Sequence, residues 1–148
     1  MTVLPSGLPA PLPARDGLDR PYWEGTLAHE LRVQRCRTCE VFRWGPEWIC
    51  HACRSLATEW VRVDPIGRIH AWERVWHAVH PALVSAVPYV VLLVELPHAG
   101  GVRMIGNLAG DPRQSVRTGA PVRAVFEDHR DHDPPYTLVH WRIEEESK

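Results

Sequence analysis

The sequence predicts a mostly β chain with one short N-terminal helix, a small cysteine-bearing ribbon and then a five-stranded barrel. Three observations carry this. Four cysteines stand as Cys36-Arg37-Thr38-Cys39 and Cys50-His51-Ala52-Cys53, two Cys-x-x-Cys pairs separated by ten residues. Beyond residue 65 the apolar residues fall in short alternating runs punctuated by Gly and Pro, which is the pattern of strands. Only the stretch around Trp23, Leu27 and Leu31 repeats its apolar residues every four positions, as one helix face does.

The cysteine pairs come first because they dictate local geometry. Each pair forms a tight knuckle whose two thiolates reach one ion, and two facing knuckles complete a tetrahedral sulfur site. Four protein ligands leave no open position, so Cys36, Cys39, Cys50 and Cys53 are expected to hold a structural Zn2+. Iron in the same thiolate cage is the competing occupant. Knuckles often carry glycine after the second cysteine, whereas here Glu40 and Arg54 stand there. His51, inside the second knuckle, reads as an exposed turn residue. Residues 1–15 lack the basic start and apolar run of a secretory leader, which argues against disulfides and for a cytoplasmic chain.

Taken in order, residues 1–18 form a proline-rich arm too poor in large apolar groups to fold alone. The helix follows, with Asp19 as its cap and Pro21 in its first turn. Trp23, Leu27 and Leu31 share its face, Tyr22 and Ala28 widen it, and Gly25 weakens it. The ribbon then runs through a strand at 31–34, the knuckles, and a closing strand at 58–63. Trp44, Trp48 and Trp60 are expected to cover the metal, since so small a module has little core. The helix and ribbon make up residues 19–64.

Residues 65–143 read as the second unit. In a long strand at 68–77, Ile69, Ala71 and Val75 face one way and His70, Trp72, Arg74 and Trp76 the other. The run at 88–96 is apolar on both faces, so both are expected to be covered. Strands at 102–108, 122–126 and 136–143 complete five, with a bend at Gly106 and a polar connection at 110–119. The run Glu127-Asp128-His129-Arg130-Asp131-His132-Asp133 reads as a solvated loop, His77 and His80 as surface residues, and 144–148 as a solvated tail. Five such strands suggest a small Greek-key barrel, with the OB-fold its leading member.

The order of parts resembles a known family: a Trp-containing helix, Gln34-Arg35-Cys36-x-x-Cys39, Cys50-x-x-Cys53, Pro88-Tyr89-Val90 opening an apolar strand, and Val116-x-x-Gly119-x-x-Val122. It looks like the acyl-CoA-associated family that joins a rubredoxin-like zinc ribbon to an OB-fold, domain-of-unknown-function family thirty-five. The resemblance covers roughly residues 19–143. It implies a non-catalytic subunit that binds a thiolase-like enzyme, whether a thiolase, a synthase or a lipid-transfer-type aldolase of steroid side-chain breakdown. It further implies that the chain helps form the partner's acyl-CoA site, that a hot-dog-fold hydratase is a further associate, and that Tyr22, Trp23 and Leu27 contact the partner. Where such chains often carry Pro-Pro-Arg before the third cysteine, this one reads Gly45-Pro46-Glu47.

The residues themselves favour the same class. There is no nucleophile elbow and no phosphate loop, and the only thiols are committed to metal. The competing reading is an OB-fold module for single-stranded nucleic acid, with Trp72 and Trp76 stacking bases. A net charge of −1, with sixteen Arg and one Lys against eighteen acidic residues, gives no basic stripe to support it.

Overall fold

The computed structural model describes residues 5–144. Residues 1–4 of the arm and 145–148 of the tail lie outside it. After the irregular segment 5–18 come a helix, a three-stranded sheet and a five-stranded sheet. Among the described residues no helix is long and apolar enough to cross a membrane.

Helix α1 (Arg20–Leu27) is shorter than the apolar spacing predicts. Its C-terminus is a two-bond lock: Glu30 N donates to Gly25 O at 2.8 Å and His29 N to Thr26 O at 2.9 Å. The turning residue is His29, at φ 57°, where glycine is usual. Its ring repays part of that strain by stacking on Phe126 at 5.0 Å and meeting the Asp128 carboxylate at 3.0 Å. The helix therefore stops before Leu31, which opens the next strand instead of extending the Trp23–Leu27 face. Asp19 does not cap with its side chain; its carboxylate accepts from Trp23 Nε1 at 2.8 Å. Ala28 is exposed, and the residues the helix buries are Gly25 and Thr26.

The ribbon sheet has β1 (Leu31–Cys36) between β2 (Phe42–Arg43) and β3 (Thr58–Val63), all antiparallel. Its base is apolar: Leu31, Val33 and Val63 join the same buried cluster as the barrel. The tip carries the knuckles.

The barrel strands are β4 (Ile66–Val75), β5 (Tyr89–Leu96), β6 (Val102–Asn107), β7 (Pro121–His129) and β8 (Tyr136–Ile143), in the order β6-β5-β4-β7-β8. A parallel bridge between Leu108 and Trp141 brings the two ends together, giving the nearly closed five-stranded barrel that the strand pattern predicts. Strand β4 serves two partners, pairing Ile66–Arg68 with β7 and Arg68–Val75 with β5. Trp141, fully buried, fills the interior. Gly106 makes room for it: a Cβ there would stand 2.7 Å from the indole. Gly67 likewise lets β4 approach β5, since its Cβ would meet Val94 at 2.5 Å.

Two strand expectations fail for physical reasons. The β4–β5 register shifts between Ile69 and Ala71, so one extra residue sits on β4. Such a bulge reverses the alternation beyond it. Trp72 and Arg74 therefore pair with the inward residues Leu92 and Val90, while Ala71 and Val75 leave the face of Ile69. The second failure is β5, which is covered on one face only. Val90, Leu92, Val94 and Leu96 are buried, but Leu93 lies opposite Ile105, which is 74% exposed.

Candidate metal centre and partner surface

The two knuckles are built alike. In the first, Glu40 N donates to Cys36 O at 3.0 Å and Cys36 N to Val41 O at 2.9 Å. In the second, Arg54 N donates to Cys50 O at 2.8 Å and Cys50 N to Ser55 O at 2.9 Å. Glu40 and Arg54 take φ of 61° and 62°, so the positions where glycine is usual adopt the glycine conformation without it. Thr38 Oγ1 and Ser55 Oγ, 2.8 Å apart, tie one knuckle to the other.

This convergence brings all four predicted ligands together. Their sulfurs lie within 4.8 Å of one another, with Cys36–Cys53 and Cys39–Cys50 both at 3.6 Å. Four sulfurs around one ion at about 2.3 Å stand about 3.8 Å apart in a tetrahedron, so the donor set fits such an ion. The electrostatics agree. Amides of Cys39 and Thr38 help pull the Cys36 thiol down to about 6, and the Cys53 amide is the main cause that lowers Cys50. The Ser55 amide favours the Cys53 thiolate, but burial and its crowded cysteine neighbours push that thiol up to about 12. Thiols this close cannot all ionise unaided; a cation resolves the conflict. Cys36 and Cys50 are buried, while Cys39 and Cys53 face solvent.

Polar braces set the ribbon arm. Gln34, fully buried, donates through Nε2 to Glu47 O at 3.0 Å and accepts from Glu47 N at 2.9 Å through Oε1. This side chain imitates a strand partner for the arm, a role the sequence reading missed because glutamine carries no periodic signal. The expected aromatic cover does not form as one group. Trp48 is 69% exposed, Trp60 is half-buried, and Trp44 turns to Tyr22, ring centres 4.7 Å apart. His51 is exposed and meets Glu47 at 3.1 Å.

On the helix, Tyr22 is partly covered by the core; burial first and the Asp19 charge second raise its phenol to about 12. Trp23 and Leu27 are half-exposed beside Pro13, Ala14, Pro134 and Pro135. The helix packs on β1 and β8, so it joins the ribbon to the barrel. A hollow of about 420 Å³ opens in the barrel, lined by Tyr89, Asn107, Leu108, Val125, Phe126 and Arg142 among others.

The acidic and histidine-rich run is not all loop. Glu127, Asp128 and His129 belong to β7, and only 130–133 turn. Glu127 is buried, 2.8 Å from His129 and 3.1 Å from His140. Burial lowers the His140 pKa against the opposing pull of Glu127. Asp128 accepts from Thr137 at 2.6 Å and meets His29, and these bonds hold its carboxyl at about 2. The run looked solvated because charge outweighs strand propensity in a one-dimensional reading. Glu127 shares its strand face with Arg123 and Val125, opposite that of the core residues Val122 and Ala124; its register partner is Leu138, and His140, opposite Val125, stands diagonal to it. His77 and His80 are exposed. Arg74 and Arg113 lie over the rings of Trp72 and Trp76 at 5.4 and 5.2 Å, on the surfaces that base stacking needs.

Comparison with known proteins follows the same architecture. A family model described as the C-terminal OB-fold domain of ChsH2 matches residues 60–127. The α subunit of 3-oxo-4,17-pregnadiene-20-carboxyl-CoA hydratase from Mycobacterium tuberculosis is 32% identical over 152 residues, covering 95% of this chain. The chain spans 46% of that relative's length. Among solved structures, a chain of the Ltp2-ChsH2(DUF35) aldolase is 30% identical with a TM-score of 0.75, over 89% of this chain and 98% of that one. A DUF35 protein of unknown function from Sulfolobus solfataricus is 11% identical, with a TM-score of 0.59 over 87% of each chain, a likeness of fold alone.

Proposed function

The chain belongs to the DUF35 family, and from that membership we propose that it is a non-catalytic accessory subunit of a thiolase-like aldolase acting on acyl-CoA. The observation that carries this reading is the near-complete match to a chain of the Ltp2-ChsH2(DUF35) aldolase, at 30% identity. The longer relative's name, a hydratase subunit for a pregnadiene-carboxyl-CoA, supports placement in steroid-type acyl-CoA breakdown; a cytoplasmic location and a hot-dog-fold hydratase as a second associate complete the proposal.

In this proposal Cys36, Cys39, Cys50 and Cys53 hold one Zn2+, and the ion fixes the ribbon tip when bound. The chain's own residues set the scaffold around it. Gln34 pins the arm, and α1 fixes the angle between the unit at 19–64 and that at 65–143. Trp23 and Leu27 offer half-covered apolar surface to the partner, with Tyr22 beneath them as support. The barrel hollow beside Tyr89 and Arg142 is the chain's contribution to the acyl-CoA site.

The test is reconstitution. The chain and its thiolase-like neighbour, co-expressed, should elute as one complex burying more than about 1,000 Å². Cleavage of a β-hydroxyacyl-CoA should require both chains. Separate elution, or full activity of the partner alone, contradicts the assignment.

A further inference from the structure

Among the described residues, Arg43 is a buried cation without a carboxylate partner. It is 2% exposed, and its one hydrogen bond among the described residues runs from Nη2 to Thr58 Oγ1 at 2.8 Å. Among the described residues, Nε and Nη1 are buried with no hydrogen-bond partner and no ion pair engages the side chain. A guanidinium taken out of water with so little in return is costly unless an anion offsets it.

The register shows which anion stands nearby. Arg43 lies opposite Gln34, and Thr58 lies opposite Cys36. Opposed residues share a face of a sheet, and so do residues two apart on one strand. Arg43, Gln34, Cys36 and Thr58 therefore occupy one face. To reach Thr58, the Arg43 side chain runs diagonally across β1 from the Gln34 level to the Cys36 level. Opposed side chains stand about 5 Å apart, so the guanidinium ends about one strand spacing from the first thiolate ligand. Four thiolates around one divalent ion carry a net charge of −2, which is the counter-charge Arg43 lacks.

We infer that Arg43 is the built-in counter-cation of the cysteine centre, a positioning residue that acts through charge and strengthens retention of the metal. The inference rests on the zinc reading above. It also accounts for the single hydrogen bond: Thr58 holds the guanidinium at the Cys36 level, and the remaining N–H groups are left to the field of the thiolates. Groups around metal ligands are worth about 10- to 100-fold in affinity, so a residue of this kind has a measurable effect.

Two variants separate charge from guanidinium geometry. R43Q removes the charge on a polar side chain too short to span to Thr58; R43K retains the charge and removes the planar fork. Zinc affinity of the full chain is read by competition with a chromophoric chelator, after metal content is measured by elemental analysis. R43Q is expected to bind zinc about 10- to 100-fold more weakly, and R43K to stay within about threefold of wild type. Thermal melts should show R43Q lowered in the zinc-loaded chain and unchanged in the metal-free chain. A merely structural role would lower both. Equal zinc affinity in R43Q and wild type, an equal loss in both melts, or R43K falling as far as R43Q overturns the inference. If R43Q gives no folded chain, R43K alone decides by the same threefold limit. A wild-type chain without metal overturns the zinc reading and this inference together, whereas a zinc-loaded wild type matched by R43Q overturns this inference alone.

Discussion

In the barrel, Leu92, Val94, Leu96, Val122 and Trp141 are fully buried against one another; at the ribbon tip, Trp48, Leu56, Cys39 and Cys53 face solvent. One region excludes water with side chains, and the other has almost none to do it with. The tip is held instead by paired knuckle hydrogen bonds, the Gln34 brace and four converging sulfurs. The base of the ribbon belongs with the barrel, since Leu31, Val33 and Val63 share its core. The division therefore runs across the ribbon and not between the two sheets. The same chain thus stabilises two ends by different physics, and the two ends should fail under different treatments.

The largest effect expected is at the tip. Cys39→Ser removes one ligand, and structural zinc contributes about 10 kcal/mol or more to modules of this kind. Elemental analysis should find substoichiometric zinc in the variant, while its barrel retains a cooperative melt. Trp141→Ala attacks the other end by emptying the barrel interior. It should cost about 3–5 kcal/mol in denaturant unfolding without changing zinc content. Gln34→Leu preserves volume but strands Glu47 N and O beside an apolar group. It should cost about 1–3 kcal/mol and quicken zinc release, measured with a chelator.

The smallest expected effect is the pH dependence of the β7–β8 pair. His140 has a lowered pKa in the fold, so the unfolded chain takes up its proton first as pH falls through the ordinary histidine value near 6.5. Its contribution is present above that value and is lost below it. Asp128, held at about 2, adds stability that is lost lower down, from about pH 4 toward 2. Glu127 faces the same site and opposes the histidine loss, whereas the neighbouring His129 adds to it. The melting temperature should fall from pH 7.5 to 5.5, and His140→Gln should flatten that slope. An unchanged slope in the variant would assign the effect elsewhere.

These regions were also unequally legible in the sequence. The convergence of the four cysteines was plain because two short spacings dictate where thiolates meet, and the family resemblance pointed to the same four residues. The strands of the barrel were legible from alternation, and the match of β5 and β8 is close. What alternation cannot show is a single inserted residue: the bulge after Ile69 exchanged the faces of Ala71 and Trp72. Nor can helical spacing show where a helix stops when His29, not glycine, takes the left-handed turn. Gln34, Arg43 and Glu127 escaped notice for one shared reason. Each is a polar residue buried by a partner distant in sequence: Glu47, Thr58 and His140. Polar residues in a strand pattern are read as outward, and only the folded contacts reverse that.

Hydrogen–deuterium exchange of the full chain, with zinc bound and after chelation, tests the central division directly. The account predicts that chelation speeds exchange at the knuckle amides of Cys36, Glu40, Cys50 and Arg54 by orders of magnitude. Amides of β5 and β8 should keep their protection. Uniform loss across both regions, or knuckle protection that survives metal removal, would contradict it.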